Sequence, residues 1–395
     1  MKKATRQQTR THNSHLIFKT IYDRGEISRA EISRLTGLTR TTVSDVVGDL
    51  SAEGLVTEVG FGPSAGGKPP ILLSVPDDAR HLIGIDLANS EFRGAVINLR
   101  GEVRHRLNLP INERDGDAAL ELVYHLIDEL LGMTEQPVVG IGIGSPGLMD
   151  ARHAVVRYAV NLNWRDLPLG DLLEARYDLP VYIANDSQAA ALAEMRFGES
   201  RDAANLLVVK VGRGVGAGIV LNRRLYYGDR FGAGEIGHVV LDPNGEPCRC
   251  GNVGCVETLV SSRALVSRAQ QIARDDPGSA LWQFVDSPQA ITTDVLYRAY
   301  EAGDEAVAAL IEQAGTYLGI SLAHVAGALD VRHIVIAGSM AVFGDTLTDP
   351  VRRVVTTRWL PPLASEIRIT TSSLGRDVVL LGAAALLLSN ELGIA

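Results

Sequence analysis

The three cysteines of this 395-residue chain, Cys248, Cys250 and Cys255, are packed into eight positions, and His238 stands ten residues upstream in Gly234-Glu-Ile-Gly-His238. Three thiolates and an imidazole meet the four-coordinate demand of zinc, and a set with no open position for water is structural rather than catalytic. Two competing readings remain. Three incidental buried thiols would not explain why every cysteine lies here, and a redox pair would want Cys-x-x-Cys rather than the Cys-x-Cys present.

A second set of chemistry-bearing residues lies near the N-terminus. Val43, Val46, Val47 and Leu50 fall at i, i+3, i+4 and i+7, the stripe of a helix that buries one side. The other side presents Arg40, Thr41, Thr42, Ser44, Asp45 and Gly48 behind the N-cap Thr39. These polar groups are of the kind that reaches base edges and phosphates in a major groove. Asp45 and Asp49 speak instead for a small helical docking domain, because a carboxylate repels phosphate.

The elements that must position that face are legible. A first helix is predicted from about His12 to Asp23. Ser28-Arg-Ala-Glu31 has the form of a capping box and opens a second helix through Leu35. Thr36-Gly37-Leu38-Thr39 then turns into the third, completing a helix-turn-helix. Leu55–Val59 and Ile71–Val75 read as strands flanking Gly60-Phe-Gly-Pro-Ser-Ala-Gly-Gly-Lys-Pro-Pro70, a wing whose tip carries Lys68. Residues 1–44 hold nine Lys plus Arg against three acids, net +6, whereas the whole chain is −9, so the remainder is −15. A basic head sits on an acidic body, which argues against nucleic-acid or membrane binding by the body as a whole.

The start of the chain is polar and basic, unlike a secretory signal, and no segment approaches about 20 uninterrupted apolar residues. The expectation is a cytoplasmic protein with no membrane partner. From about Pro76 apolar strands alternate with longer helices. Leu82–Asp86, Pro137–Ile143, Pro180–Ala184, Leu206–Val211 and His333–Ala337 read as buried strands of an α/β body.

The run from Gly234 to Glu257 resembles the signature of the ROK family (repressors, open reading frames and sugar kinases). Further matches are Gly142-Ile-Gly-Ser-Pro-Gly-Leu148, Asn161-Leu-Asn-Trp164, Asn185-Asp-Ser-Gln-Ala-Ala190, Gly212-Arg-Gly-Val-Gly-Ala-Gly218 and Gly382-Ala-Ala384. The winged head with Gly66-Gly-Lys-Pro-Pro70 resembles that of the family's transcription factors. The resemblance implies a winged helix-turn-helix over residues 1–76 and a two-lobed actin-like or hexokinase-like body over 77–395. Lobe 1 would take about 77–195 plus the C-terminal helix 378–395, and lobe 2 about 196–377. It also implies sugar contacts from Asn161, Asn185, Asp186, Glu235, His238 and Glu257, with Asp186 the relic of a general base, and a homodimer or homotetramer on an inverted-repeat operator. His238 would serve twice, with one ring nitrogen on structural zinc and the other edge toward the sugar.

The family's kinases carry Asp-x-Gly-Gly-Thr where this chain has Asp86-Leu-Ala-Asn-Ser90, Gly-Thr-Gly where it has Gly212-Arg213-Gly214, and Gly-Gly where it has Ala337-Gly338. Lost glycines add Cβ atoms where backbone must approach phosphate, and phosphoryl transfer depends almost wholly on positioning. The expectation is a non-catalytic sensor: a sugar-responsive regulator, most often a repressor in that family. The alternatives are an active sugar kinase carrying a DNA-binding head and, disfavoured by the polar cleft, a structural zinc adaptor.

Overall fold

The computed structural model describes residues 5–63, 69–88 and 90–394. Lys68 and Asn89, singled out in the sequence, lie outside the described residues.

The head comprises α1 (Arg6–Arg24), β1 (Ile27–Ser28), α2 (Arg29–Thr36), α3 (Arg40–Ala52), β2 (Thr57–Phe61) and β3 (Ile71–Ser74). α1 begins six residues earlier than its apolar pattern implies. Thr5 and Gln8 form a reciprocal capping box there, which satisfies two free N–H groups without any apolar residue in the first turn. At Ser28 only half of the predicted box forms: the hydroxyl accepts from Glu31 N, while Glu31 turns to Arg34. Gly37, at φ +70°, makes the turn between α2 and α3. The valine stripe of α3 is buried, and β2 pairs antiparallel with β3 to make the wing.

The body opens with β4 (His81–Leu87), β5 (Glu91–Asn98), β6 (Val103–Pro110), α4 (Gly116–Gly132) and β7 (Val138–Ser145). There follow β8 (Leu148–Asp150), β9 (Val155–Ala159), β10 (Trp164–Leu167), α5 (Leu169–Tyr177), β11 (Val181–Asn185) and α6 (Asp186–Arg196). A five-stranded sheet runs in the order β11-β7-β4-β5-β6, parallel among its first three strands and antiparallel beyond.

The second half repeats the plan. β12 (Leu206–Val211), β13 (Val215–Leu221) and β14 (Arg224–Leu225) precede α7 (Val256–Val260), α8 (Ser262–Asp275), α9 (Thr293–Glu301) and α10 (Glu305–Leu329). β15 (His333–Ala337), α11 (Asp345–Arg358), α12 (Pro361–Ala364), β16 (Arg368–Thr371) and α13 (Val378–Glu391) complete the chain. The sheet order β14-β13-β12-β15-β16 again joins an antiparallel meander to parallel strands. α10 is long and apolar enough to cross a membrane by length and composition alone, though its apolar residues are interrupted as the sequence shows, and 56% of its 18-residue apolar stretch is buried within the fold, where it packs on α11.

α6 and α13 lie against each other beside both sheets, brought close by glycines. A Cβ on Gly382 would stand 1.9 Å from the Ala189 carbonyl oxygen, and one on Gly142 would stand 2.0 Å from that of Ala383. The head is docked rather than tethered, since one continuous apolar cluster runs from Ile17, Phe18 and Tyr22 through Leu99 to α6 and α13. At the junction the Tyr22 hydroxyl donates to Leu99 O at 2.5 Å, and Arg100 donates to Tyr22 O at 2.8 Å. The guanidinium groups of Arg100 and Arg196 lie 4.0 and 4.6 Å from the Tyr22 ring centre, a doubled cation–π contact.

Candidate functional site

β11 delivers Asn185 and Asp186 to the end of the first sheet, at the start of α6. Asn185 is the cap: its Oδ1 accepts from Ser187 N at 2.9 Å, and its Nδ2 donates to Gly147 O at 2.9 Å. Asn185 is therefore engaged in holding the corner, and the neighbouring Asp186 carboxylate takes other partners. Ser187 Oγ donates to Asp186 Oδ1 at 3.2 Å.

The neighbouring carboxylates come from the second half of the body. Gly234 has φ +95°, and a Cβ there would stand 1.8 Å from the Ala217 carbonyl oxygen, so only glycine lets the chain turn onto β13 and present Glu235. The Glu235 carboxylate lies 3.9 Å from His238 Nε2 and has no hydrogen-bond partner among the described residues. Burial, Asp186 and Glu257 together push its pKa up to about 7. Glu257, on α7, accepts from Val215 N at 3.1 Å and lies 3.7 Å from Arg263. Asp186 and Glu257 are thus each close enough to raise the Glu235 pKa, and the three carboxylates form a cluster able to accept hydrogen bonds from hydroxyl groups. Asn161 stands at the rim, exposed, accepting from Arg249 Nη1 at 3.2 Å.

The cysteines and His238 converge. Their donor atoms all lie within 4.8 Å of one another. Cys250 Sγ is 3.6 Å from Cys255 Sγ, and Cys248 Sγ is 3.7 Å from His238 Nδ1. Sulfurs bound at about 2.3 Å to a tetrahedral ion stand about 3.8 Å apart, so the donor set and its spacing fit a closed metal site. Its turn needs Gly254 at φ +68°, where a Cβ would lie 1.5 Å from the Asp242 carbonyl oxygen. His238 turns Nδ1 to the sulfurs and Nε2 to Glu235.

The sequence reading missed the charges at the other end of the cleft. Lys210, the one charged residue of β12, donates from Nζ to Asp186 Oδ2 at 2.7 Å. Arg93 on β5 lies directly across from Asp86 on β4 and donates to its carboxylate. Burial drives the Asp86 pKa upward despite Arg93 and Lys210. A lone lysine in an otherwise apolar strand was the signal available. Arg213 is exposed at the turn between β12 and β13.

On the head, Thr39 caps α3 by accepting from Thr42 N, and its hydroxyl meets that of Thr42 at 2.9 Å. Arg40, Thr41, Ser44 and Asp45 are exposed, while Thr42 is half-buried. Asp49 is paired with Arg10 of α1 at 2.7 Å, so one of the two carboxylates that spoke against DNA carries a local counter-charge.

The ROK family pattern matches residues 82–390, and a winged helix-turn-helix DNA-binding pattern matches residues 10–57. The xylose repressor of Caldicellulosiruptor bescii is 33% identical over 387 residues, 96% of each chain. A glucokinase of Halalkalibacterium halodurans is 32% identical over 317 residues, covering 79% of this chain and 96% of its own. The crystal structure of a ROK family transcriptional regulator, a homologue of the E. coli MLC protein, superposes with a TM-score of 0.85 at 27% identity, over 98% of both chains. With a pattern that spans the body and relatives that span the whole, the chain belongs to the ROK family.

Proposed function

We propose that this protein is a sugar-responsive, DNA-binding transcriptional repressor whose kinase-like cleft serves as a sensor. The observation that carries the reading is one of extent: the likeness to a xylose repressor runs through head and body alike, whereas the likeness to a glucokinase stops at the body. In this reading residues 1–76 are the DNA-binding unit and 77–395 the sensor, the latter divided into lobes of about 77–195 with 378–395 and about 196–377. Thr39, Arg40, Thr41, Thr42, Ser44, Asp45 and Lys68 face the operator, an inverted repeat bound by a homodimer or homotetramer in the cytoplasm.

Asp186, Glu235, His238 and Glu257 take the sugar hydroxyls, with Asn185 holding the corner and Asn161 at the rim. His238, Cys248, Cys250 and Cys255 would hold zinc, which supplies a rigid cross-link and no reaction step. That link ties the Glu235 and Glu257 segments together, so the wall keeps its shape. α6 offers the route to the head. It starts at Asp186 in the cleft and ends at Arg196, which lies on the Tyr22 ring and 3.5 Å from Asp23 of α1. A sugar that favours one setting of α6 over another biases the head, as allostery requires.

The direct test is operator binding by fluorescence anisotropy, with D-xylose, D-glucose and N-acetylglucosamine added in turn. Release by one of them is expected; an affinity for operator unchanged by deleting residues 1–76 would refute the DNA-binding assignment. The kinase reading is tested by sugar phosphate production from ATP and magnesium. Turnover of about 1 per second or faster, within the usual kinase range, would replace the sensor with an enzyme.

A further inference from the structure

The two carboxylates at the inner end of the cleft are each matched by a cation from the chain itself. Asp86 is buried on β4, and Arg93 faces it across the antiparallel ladder with β5. Asp186 receives the Lys210 ammonium, and the two side chains are only 17% and 21% exposed. The strand pattern explains why Lys210 points there. Leu206 and Val208, its face-mates on β12, belong to the apolar cluster of α6 and α13, whereas Leu207, Val209 and Val211 pack into the core of lobe 2. Alternation therefore aims residue 210 at the start of α6. Burial weakens the lysine's charge, but Asp186 and Asp86 outweigh it, and its pKa stands above the ordinary lysine value.

Phosphoryl-transfer sites meet the same electrostatic problem differently. Metal ions neutralise the charge around the phosphates, and a carboxylate stays free to accept the proton of the attacking hydroxyl. Here the carboxylate at that position is already held by an ammonium group, and the four side chains sum to zero charge without a metal.

We propose that Lys210, seconded by Arg93, is a built-in counter-cation that pins Asp186 as a fixed hydrogen-bond acceptor, so that the cleft recognises a neutral polyhydroxylated ligand without divalent cation or nucleotide. The proposal rests on the reading of the cleft as a sugar site. Lys210 is a positioning residue that acts through Asp186.

The test uses the full-length, metal-loaded protein. Binding of D-xylose, D-glucose and N-acetylglucosamine is measured by calorimetry with and without magnesium, and binding of Mn²⁺ by electron paramagnetic resonance. The wild type should bind its sugar equally with and without magnesium and hold no Mn²⁺ in the cleft. Lys210→Thr should bind the sugar about tenfold more weakly or worse, because one partner of a buried charge pair is gone. It should recover part of that loss in magnesium and gain one Mn²⁺ per chain. Lys210→Arg, which keeps the charge, should behave as the wild type, an outcome that a merely structural role would not require. A folded Lys210→Thr with unchanged sugar affinity and no added Mn²⁺ would overturn the proposal. Should that variant fail to fold, Lys210→Met combined with Asp186→Asn decides: recovery of the melting temperature supports ionic pairing, and no recovery rejects it. If none of the sugars binds the wild type, the sugar reading fails by itself, while gain or absence of Mn²⁺ in Lys210→Thr still decides the counter-cation.

Discussion

The two ends of the cleft solve opposite problems with the same residue types. At the outer wall the Glu235 carboxylate lies 3.9 Å from His238 and has no hydrogen-bond partner among the described residues, and its pKa is pushed up to about 7 by partial burial and by Asp186 and Glu257. At the inner end Asp86 and Asp186 are both paired, with Arg93 and Lys210. A half-buried carboxylate without a hydrogen-bond partner gains from a new donor, which suits the outer wall to hydroxyl groups. The inner end is complete as it stands. On the proposed reading, the outer set is left open for sugar hydroxyls while the inner one is satisfied from within.

The contrast breaks most severely if the outer wall loses its cross-link. Chelation of the metal, or Cys250→Ser, should release the turn carrying Glu257, abolish sugar response and lower stability by several kcal/mol, on the order of 3 or more, since binding energy of a structural metal is folding energy. Elemental analysis and thermal melting would read this. Metal-free protein with full sugar response would refute the cross-link.

Within an intact wall, Glu257→Gln should cost about 1.5 to 3 kcal/mol of sugar binding, the range for hydrogen bonds to charged groups, measured by calorimetry. An equal loss of stability without sugar would instead mark Glu257 as merely a clamp on Val215 N.

On the head, Arg40→Ala should weaken operator binding by about 1 to 3 kcal/mol if the side chain reads a base. A uniform loss across unrelated sequences would assign it to phosphate.

Arg196→Ala separates sensing from response. Sugar affinity and operator affinity should each change little, whereas the coupling between them should drop by about 1 kcal/mol, within the usual range of coupling energies. Anisotropy titrations with and without sugar would detect it, and undiminished release would clear α6 of the role.

The smallest effect is expected at the inner end. A non-hydrolysable ATP analogue with magnesium should stabilise the wild type by less than about 0.3 kcal/mol if it does not bind. A clear rise in melting temperature would show that the internal ion pairs leave room for nucleotide.

Much of this was legible because it is local. The strands Leu206–Val211 and His333–Ala337 were read to the residue, and the valine stripe of α3 is buried as its period requires. The first turns of α1 were missed because their stabilisation comes from Thr5 and Gln8, not from apolar spacing. β6 and β16 were not singled out, since strands that alternate or run short give a weaker signal than continuous apolar runs, nor were β5 and β13, whose apolar runs are interrupted by Gly94 and by Gly216 and Gly218.

The family, the basic head and the His238–Cys248–Cys250–Cys255 cluster that could hold a metal ion were readable along the chain, because these cysteines close within one short loop and need no distant partner to meet. Tertiary structure decided the rest. Lys210 reaches Asp186 only because β12 aligns beside α6, and Arg93 meets Asp86 only through the β4–β5 register. Asn185 proves to cap α6, and the head proves to be docked through Tyr22, Arg100 and Arg196. Such pairings depend on which face of a strand or helix meets which neighbour. That is fixed by sheet register and core packing, through contacts between residues far apart in the chain, and periodicity along the chain does not encode it.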